Sequence, residues 1–302
     1  MIPRSSLVLV VGLAALAAVH AGCAGGGAGA GATGPTDPIA RAKEAVLSIE
    51  AHRAGARPFP FPVVSARVGD KPTKLLVDTS ASAHALERSL GAASDAAIDV
   101  DGWGRLAARP ALVDLPAHLR EHGVGGVIAP QLLAESGEAV VVDLVNRRMR
   151  LRPTSTARSD VADIGASLFA SGQGPLCPGA DGAPALLVDA EVDGARAQLA
   201  VDTGASRTLF LEGSAAAARA AAHPVLGRSM GQATRTSAAV ALHAGVPLRA
   251  GAWSTTMDVG VAPGERQATC SADGRLGMDA LQYCAIAVMA DAFVVACRTP
   301  GG

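Results

Sequence analysis

Two aspartates, Asp78 and Asp202, sit in the same local setting 124 residues apart. Asp202 lies in LAVDTGASRTLFL (Leu199–Leu211) and Asp78 in LLVDTSASAHAL (Leu75–Leu86). In each, an apolar run reads as a strand that ends on the acid, and a Thr and a small residue then turn the chain. Gly204 permits a sharp turn directly after the acid because it carries no Cβ. A carboxylate at a rigid strand-to-turn junction is held still and partly desolvated, as an acid or base with a tuned pKa requires. One such tripeptide is a common turn in β proteins. Two in matched settings point to a duplicated unit.

The flanks extend the match. Val64, Ala66, Val68 and Val77 fall on Val188, Ala190, Val192 and Val201. Each half alternates apolar residues, turns at Val68-Gly69-Asp70 or Val192-Asp193-Gly194, and runs a second apolar strand into Asp-Thr, the pattern of a hairpin. Further on, GVIAPQLL (Gly126–Leu133) resembles GRLGMDAL (Gly274–Leu281). A closing apolar hairpin follows each, VVVDLVNRRMRL and AIAVMADAFVVAC. A repeat of this size is a lobe, far longer than a solenoid unit.

These motifs resemble the pepsin-like and retropepsin-like aspartic peptidases, with LAVDTGASRTLFL and GRLGMDAL closest to the bacterial retropepsin-like pattern. The resemblance covers roughly Phe59 to Cys297. It implies an all-β chain of two acid-protease-like barrels with a few short helices. It also implies that Asp78 and Asp202 meet across the lobe interface, share one proton and activate a water against a peptide bond. Thr79 and Thr203 match the family's buried threonines that lock the two turns. Ser80 stands where the family has Gly, as Gly204 does, and Ala129 replaces the Gly of the later motif. Ala81 and Ala205 follow the retropepsin style. The implied function is an aspartic-type endopeptidase acting on peptide or protein substrates without a cofactor. The alternative is a catalytically silent envelope lipoprotein that binds peptides in the interlobe groove. Because both lobes lie in one chain, a monomer suffices to build the site.

Taken in order, residues 1–22 carry Arg4, an apolar run from Leu7 to Val19 and then small residues, an export signal too short for a comfortable span. Cys23 and the Gly/Ala-rich tether 23–37 resemble a bacterial lipoprotein start with Cys23 lipidated, which would anchor the chain to a membrane on the periplasmic or outer side. Cleavage after Ala21, giving a secreted chain, is the other reading. Residues 38–57 read as a helix with Ile39, Ala42, Ala45, Val46 and Ile49 on one face. The first lobe spans 58–153, a polar Gly/Pro-rich inter-lobe linker 154–184, and the second lobe 185–302. Gly213–Ala222 reads as a short helix, with Leu86–Leu90 as its weaker equivalent. The remaining cysteines are Cys177, Cys270, Cys284 and Cys297, an even number in an exported chain, which suggests two disulfides with three possible pairings. Cys284 with Cys297 across a hairpin near Ala290-Asp291, and Cys177 with Cys270, is the expected set.

Other candidates carry less. Val100–Arg105 places Gly on both sides of Trp103 and is the candidate flap, with a surface hairpin tip as the other reading. His118-Leu119-Arg120-Glu121-His122 matches a His-x-x-Glu-His zinc pattern, but Pro116 and Gly123 confine that helix and no third ligand follows; a solvated helix end is expected and no metal. Asp279 is expected to be structural, and His84 to lie near the cleft or surface without a role. No phosphate loop or Gly-x-Ser-x-Gly elbow is present. With 26 basic against 27 acidic residues, and only two Trp, one Tyr and five Phe, nothing suggests a nucleic-acid surface.

Overall fold

The two Asp-Thr turns are built on hairpins of the same register. Strand Arg57–Val68 pairs antiparallel with Lys71–Val77, Val63 opposite Leu76 and Val68 opposite Lys71. Strand Leu187–Val192 pairs with Ala195–Val201, Leu187 opposite Ala200 and Val192 opposite Ala195. This computed structural model describes residues 43–54, 57–90, 97–106, 110–163, 167–172, 177–178, 184–232, 237–263, 272–290 and 292–298. The signal, Cys23 and the tether lie outside them. Among the described residues, no helix is long and apolar enough to cross a membrane.

Each acid-bearing strand lies parallel to a short strand from later in its lobe. Lys71–Val77 runs beside Val124–Ile128, and Ala195–Val201 beside Gly274–Leu276. After the turn the chain crosses the end of that later strand and returns on its far side, as Ala85–Glu87 and Leu209–Leu211. The crossing demands close approach. A Cβ at Gly126 would press on the Ala85 carbonyl and one at Gly274 on the Leu209 carbonyl, so both positions need glycine. In the second lobe the order 187–192, 195–201, 274–276, 209–211, Trp253–Ala262, Ser237–Ala250 closes on itself through Glu191–Arg249 and Val192–Leu248, a six-stranded barrel. The first lobe repeats the frame with Ile98–Val100 on Arg57–Val68 and Ala111–Val113 beside Ala85–Glu87, but no pairing among the described residues closes it. The chain is all-β and two-lobed.

A six-stranded antiparallel sheet joins the lobes. The hairpin Glu138–Asp143/Arg148–Pro153 pairs with Cys284–Met289/Phe293–Cys297, Ala139 opposite Met289 and Asp143 opposite Ala285. Val140, Val142, Ile286, Val288 and Val295 face the main core. Ala139, Val141, Ala285, Ala287, Val294 and Ala296 face helix Thr154–Ala162 through Ala157 and Val161. Both faces of Glu138–Asp143, Cys284–Met289 and Phe293–Cys297 are covered, which explains why these three strands read as nearly unbroken apolar runs.

Three expectations need correction. Residues 38–57 do not form a helix where they are described: Glu44–Ala54 is a strand pairing with both Arg57–Val68 and Arg148–Pro153. Its burial alternates, with Ala45 and Leu47 buried and Val46 72% exposed. Two sheet edges need a partner, and pairing with both outweighs a weak helical spacing. The linker 154–184 is not plain connection: it holds helix Thr154–Ala162 and strand Ser167–Gly172, which caps one edge of the joining sheet. Leu86–Leu90 continues a strand into a turn and is not helical. The expected helix of the second lobe is Ala215–Ala220, with the Ser214 hydroxyl accepting from the Ala217 N–H at 3.0 Å.

Cys284 and Cys297 are directly opposed in register, buried and disulfide-bonded. The expected Cys177–Cys270 pairing lies outside the described residues. Replacing Cys284 and Cys297 together by Ala removes a cross-link spanning 13 residues. It should cost about 2–3 kcal/mol, read as a lower urea midpoint against the oxidised wild type.

Candidate active site

The two turns are locked to each other by their threonines. The Thr79 N–H donates to Thr203 Oγ1 at 3.0 Å, and the Thr203 N–H to Thr79 Oγ1 at 3.1 Å. Thr79 Oγ1 donates to the Val201 carbonyl at 2.7 Å, and Thr203 Oγ1 to the Val77 carbonyl at 2.6 Å. Each hydroxyl therefore donates and accepts, and both side chains are fully buried. Each Asp N–H is fixed as well, Asp78 to the Ile128 carbonyl and Asp202 to the Leu276 carbonyl.

This lock brings the carboxyl groups together. Asp202 is 4% exposed and Asp78 half-buried. A Cβ at Gly204 would fall on the Asp78 carboxyl group, so glycine there permits the approach across the interface. Ser80 Oγ sits between the pair, 2.8 Å from Asp78 Oδ1 and 3.0 Å from Asp202 Oδ1. The Ser80 N–H donates to Asp78 Oδ1 at 2.8 Å, and the Ala205 N–H to Asp202 Oδ1 at 2.9 Å. Arg275, which sequence reasoning missed, donates from Nη1 to Asp202 Oδ2 at 2.9 Å. Only one signal pointed to it: a charged residue in an apolar strand, where the first lobe has Val127.

Burial raises the Asp78 carboxyl from 3.8 to about 6, and the Asp202 charge adds to the rise. The Ser80 hydroxyl, the Ser80 N–H and Arg275 oppose it. Such a carboxylate is poised to exchange a proton in mildly acid solution.

The two residues that depart from the duplicated motif, Ser80 and Ala129, fit the backbone. Ser80 does not adopt a positive φ; among the described residues, Arg147 and Asp193 are the non-glycines that do. Ala129 is buried, and its N–H donates to His84 Nδ1 at 3.1 Å. The second lobe repeats this contact with Gly277 N–H and Thr208 Oγ1, also 3.1 Å. There a Cβ on Gly277 would strike the Arg207 backbone; at the matching place the first lobe accommodates alanine. His84 is thus a buried structural group, not a cleft or surface residue, and burial lowers its pKa. Asp279 accepts from the Thr208 N–H at 2.8 Å and from Thr208 Oγ1 at 2.8 Å, a structural brace whose carboxyl burial raises to about 6.

Trp103, on the turn expected as a flap, packs into the main core. It is buried beneath the tight turn between Ile98–Val100 and Gly104–Arg105, and the backbone of Gly102 abuts the Glu44 carbonyl. Its counterpart is Trp253, likewise buried after the turn of the second lobe. The second lobe carries instead a longer hairpin, Val225–Gln232/Ser237–Ala250, with Val225 and Leu226 exposed. The His-x-x-Glu-His segment forms helix Ala117–Glu121. His118 and His122 lie against the ring of His52, at 5.3 and 5.8 Å between centroids. Among the described residues, no three metal-ligating side chains converge on one point.

Comparison with protein-family models gives no match, and comparison with curated proteins gives none.

Two measurements test this geometry. Thr79→Val orphans the Thr203 N–H and the Val201 carbonyl and should cost about 2–6 kcal/mol at about 1–3 per buried unpaired group, seen in chemical denaturation. The raised pKa of Asp78 gives a stability contribution present below about pH 4 and lost as pH rises through about 6. Asp78→Asn should therefore gain stability relative to wild type between about pH 4.5 and 7.5, measured as the difference in urea midpoint at the two pH values.

Proposed function

We propose that this chain is an aspartic-type endopeptidase that hydrolyses peptide bonds with the Asp78/Asp202 pair. The observation that carries the reading is the reciprocal threonine lock, which joins two lobes so that both carboxylates converge on one point. In this reading the deprotonated carboxylate takes a proton from a water at that point. The protonated partner donates to the substrate carbonyl, and the tetrahedral intermediate collapses as the roles reverse. The water requires the place now held by Ser80 Oγ, so the Ser80 side chain must turn aside by a χ1 rotation. The carboxylates belong to one chain, so the monomer is the working unit. The proposed setting is an exported envelope protein held to a membrane through lipidated Cys23, with peptide or protein substrates.

A second reading has its own support. Ser80 Oγ fills the space between the carboxylates, and Arg275 neutralises one of them. Both features suit a silent lobe pair that binds peptides in the groove without cleaving them.

Cleavage of a mixed peptide library by the mature protein decides between them. Wild type should cleave on the acid side of neutrality. Asp78→Asn and Asp202→Asn should each lose about 10²–10⁴-fold, and the double variant little more, because the pair acts as a unit. Ser80→Gly should raise kcat by freeing the water position. Equal residual cleavage in wild type and both single variants removes the pair from the mechanism. No cleavage by folded wild type and Ser80→Gly across a broad pH range, with peptide binding retained, favours the silent module.

A further inference from the structure

The lobes repeat each other closely, and the exceptions nearest the carboxylates carry information. Two positions break the symmetry against the pair: Ser80 opposite Gly204, and Arg275 opposite Val127. A symmetric pair would leave its shared proton unassigned. Here Arg275 sits on Asp202 alone, Nη1 to Oδ2 at 2.9 Å, with its side chain 23% exposed.

We infer that Arg275 is a positioning residue that fixes the negative charge on Asp202 and leaves the shared proton to Asp78. The inference rests on the proposed dyad and deepens it by giving each carboxylate one entry role: Asp202 accepts the proton of the nucleophile, and Asp78 donates to the carbonyl oxygen.

The contacts support this division. Asp202 is almost fully buried, and a buried carboxylate keeps its charge only where a cation or hydrogen bonds compensate it. It has both, with Arg275 on Oδ2 and the Ala205 N–H on Oδ1. Among the described residues Asp78 has no ion-pair partner; its N–H donor is Ser80, and the Ser80 hydroxyl lies against the same oxygen. The charged groups acting on Asp78 are Asp202, which disfavours its ionisation, and Arg275, which favours it. Asp279 faces Thr208 behind the second turn, and the Arg207 charge acts on Asp279. The Ser80 hydroxyl has one hydrogen for two oxygen neighbours. It can satisfy both when it donates to charged Asp202 and accepts from a protonated Asp78.

The test does not depend on turnover. Protein labelled with carboxyl-13C aspartate is titrated by NMR from about pH 3 to 8, with Asp78→Asn and Asp202→Asn used to assign the two resonances. In wild type Asp202 should ionise below Asp78. In Arg275→Gln the Asp202 midpoint should rise by about 1–3 pH units, and Arg275→Lys should restore the wild-type order. If wild type cleaves peptide, the acid limb of kcat/KM should rise with Asp202 in Arg275→Gln and return in Arg275→Lys. An Asp202 midpoint unchanged in Arg275→Gln, or an Asp202 that ionises above Asp78 in wild type, overturns the inference. The wild-type order alone decides it if Arg275→Gln does not fold. Absence of cleavage with the expected titration order refutes the peptidase reading and leaves the charge assignment standing.

Discussion

The exchange of hydrogen bonds between Thr79 and Thr203 is the constraint on which the site depends. Two turns from opposite lobes bury their backbone amides against each other, and an unpaired buried amide is costly. Each threonine hydroxyl satisfies the other turn's N–H and a carbonyl of the other lobe's acid-bearing strand. The lobes cannot separate without breaking all of these bonds together. The same lock brings the carboxylates to one place, and Gly204 leaves the room that Asp78 needs.

Behind the turns, the joining sheet does the equivalent work with apolar surface. One face of its inner strands enters the main core, and the other is closed by helix Thr154–Ala162. Strands Glu44–Ala54 and Ser167–Gly172 cover the two edges. Central pairing of one hairpin from each lobe makes the halves a single body, and a disulfide staples the second hairpin. A site assembled from two lobes needs such a rigid back, because small errors of approach between catalytic groups are expensive.

The halves diverge where each could change without breaking the frame. His84 takes the place of Thr208 as acceptor for the amide before the short helical turn. Ala129 replaces Gly277 at the matching contact. The second lobe closes into a barrel and extends a hairpin, and no pairing among the described residues closes the first. Against the carboxylates themselves, Ser80 and Arg275 make the pair unequal.

Much of this was legible in the sequence because it is local or repeated. Alternating apolar residues running into Asp-Thr specify a hairpin that ends on an acid, and the second copy specifies a second lobe. The alanine-rich stretch Gly213–Ala222 specifies a short helix, and Cys284 and Cys297 flank one tight hairpin. What only the tertiary structure decided depends on partners distant in the chain. Glu44–Ala54 became a strand because two unpaired edges were available to it, although its apolar spacing also suits a helix. Trp103 went into the core because Gly102 turns against Glu44, a contact that no local pattern encodes. Arg275 reached Asp202 because their parallel strands set them side by side, and Ser80 came between the carboxylates because the threonine lock fixes one turn against the other. Periodicity reports which face of an element is apolar; which charges meet across an interface is set by how the elements pack.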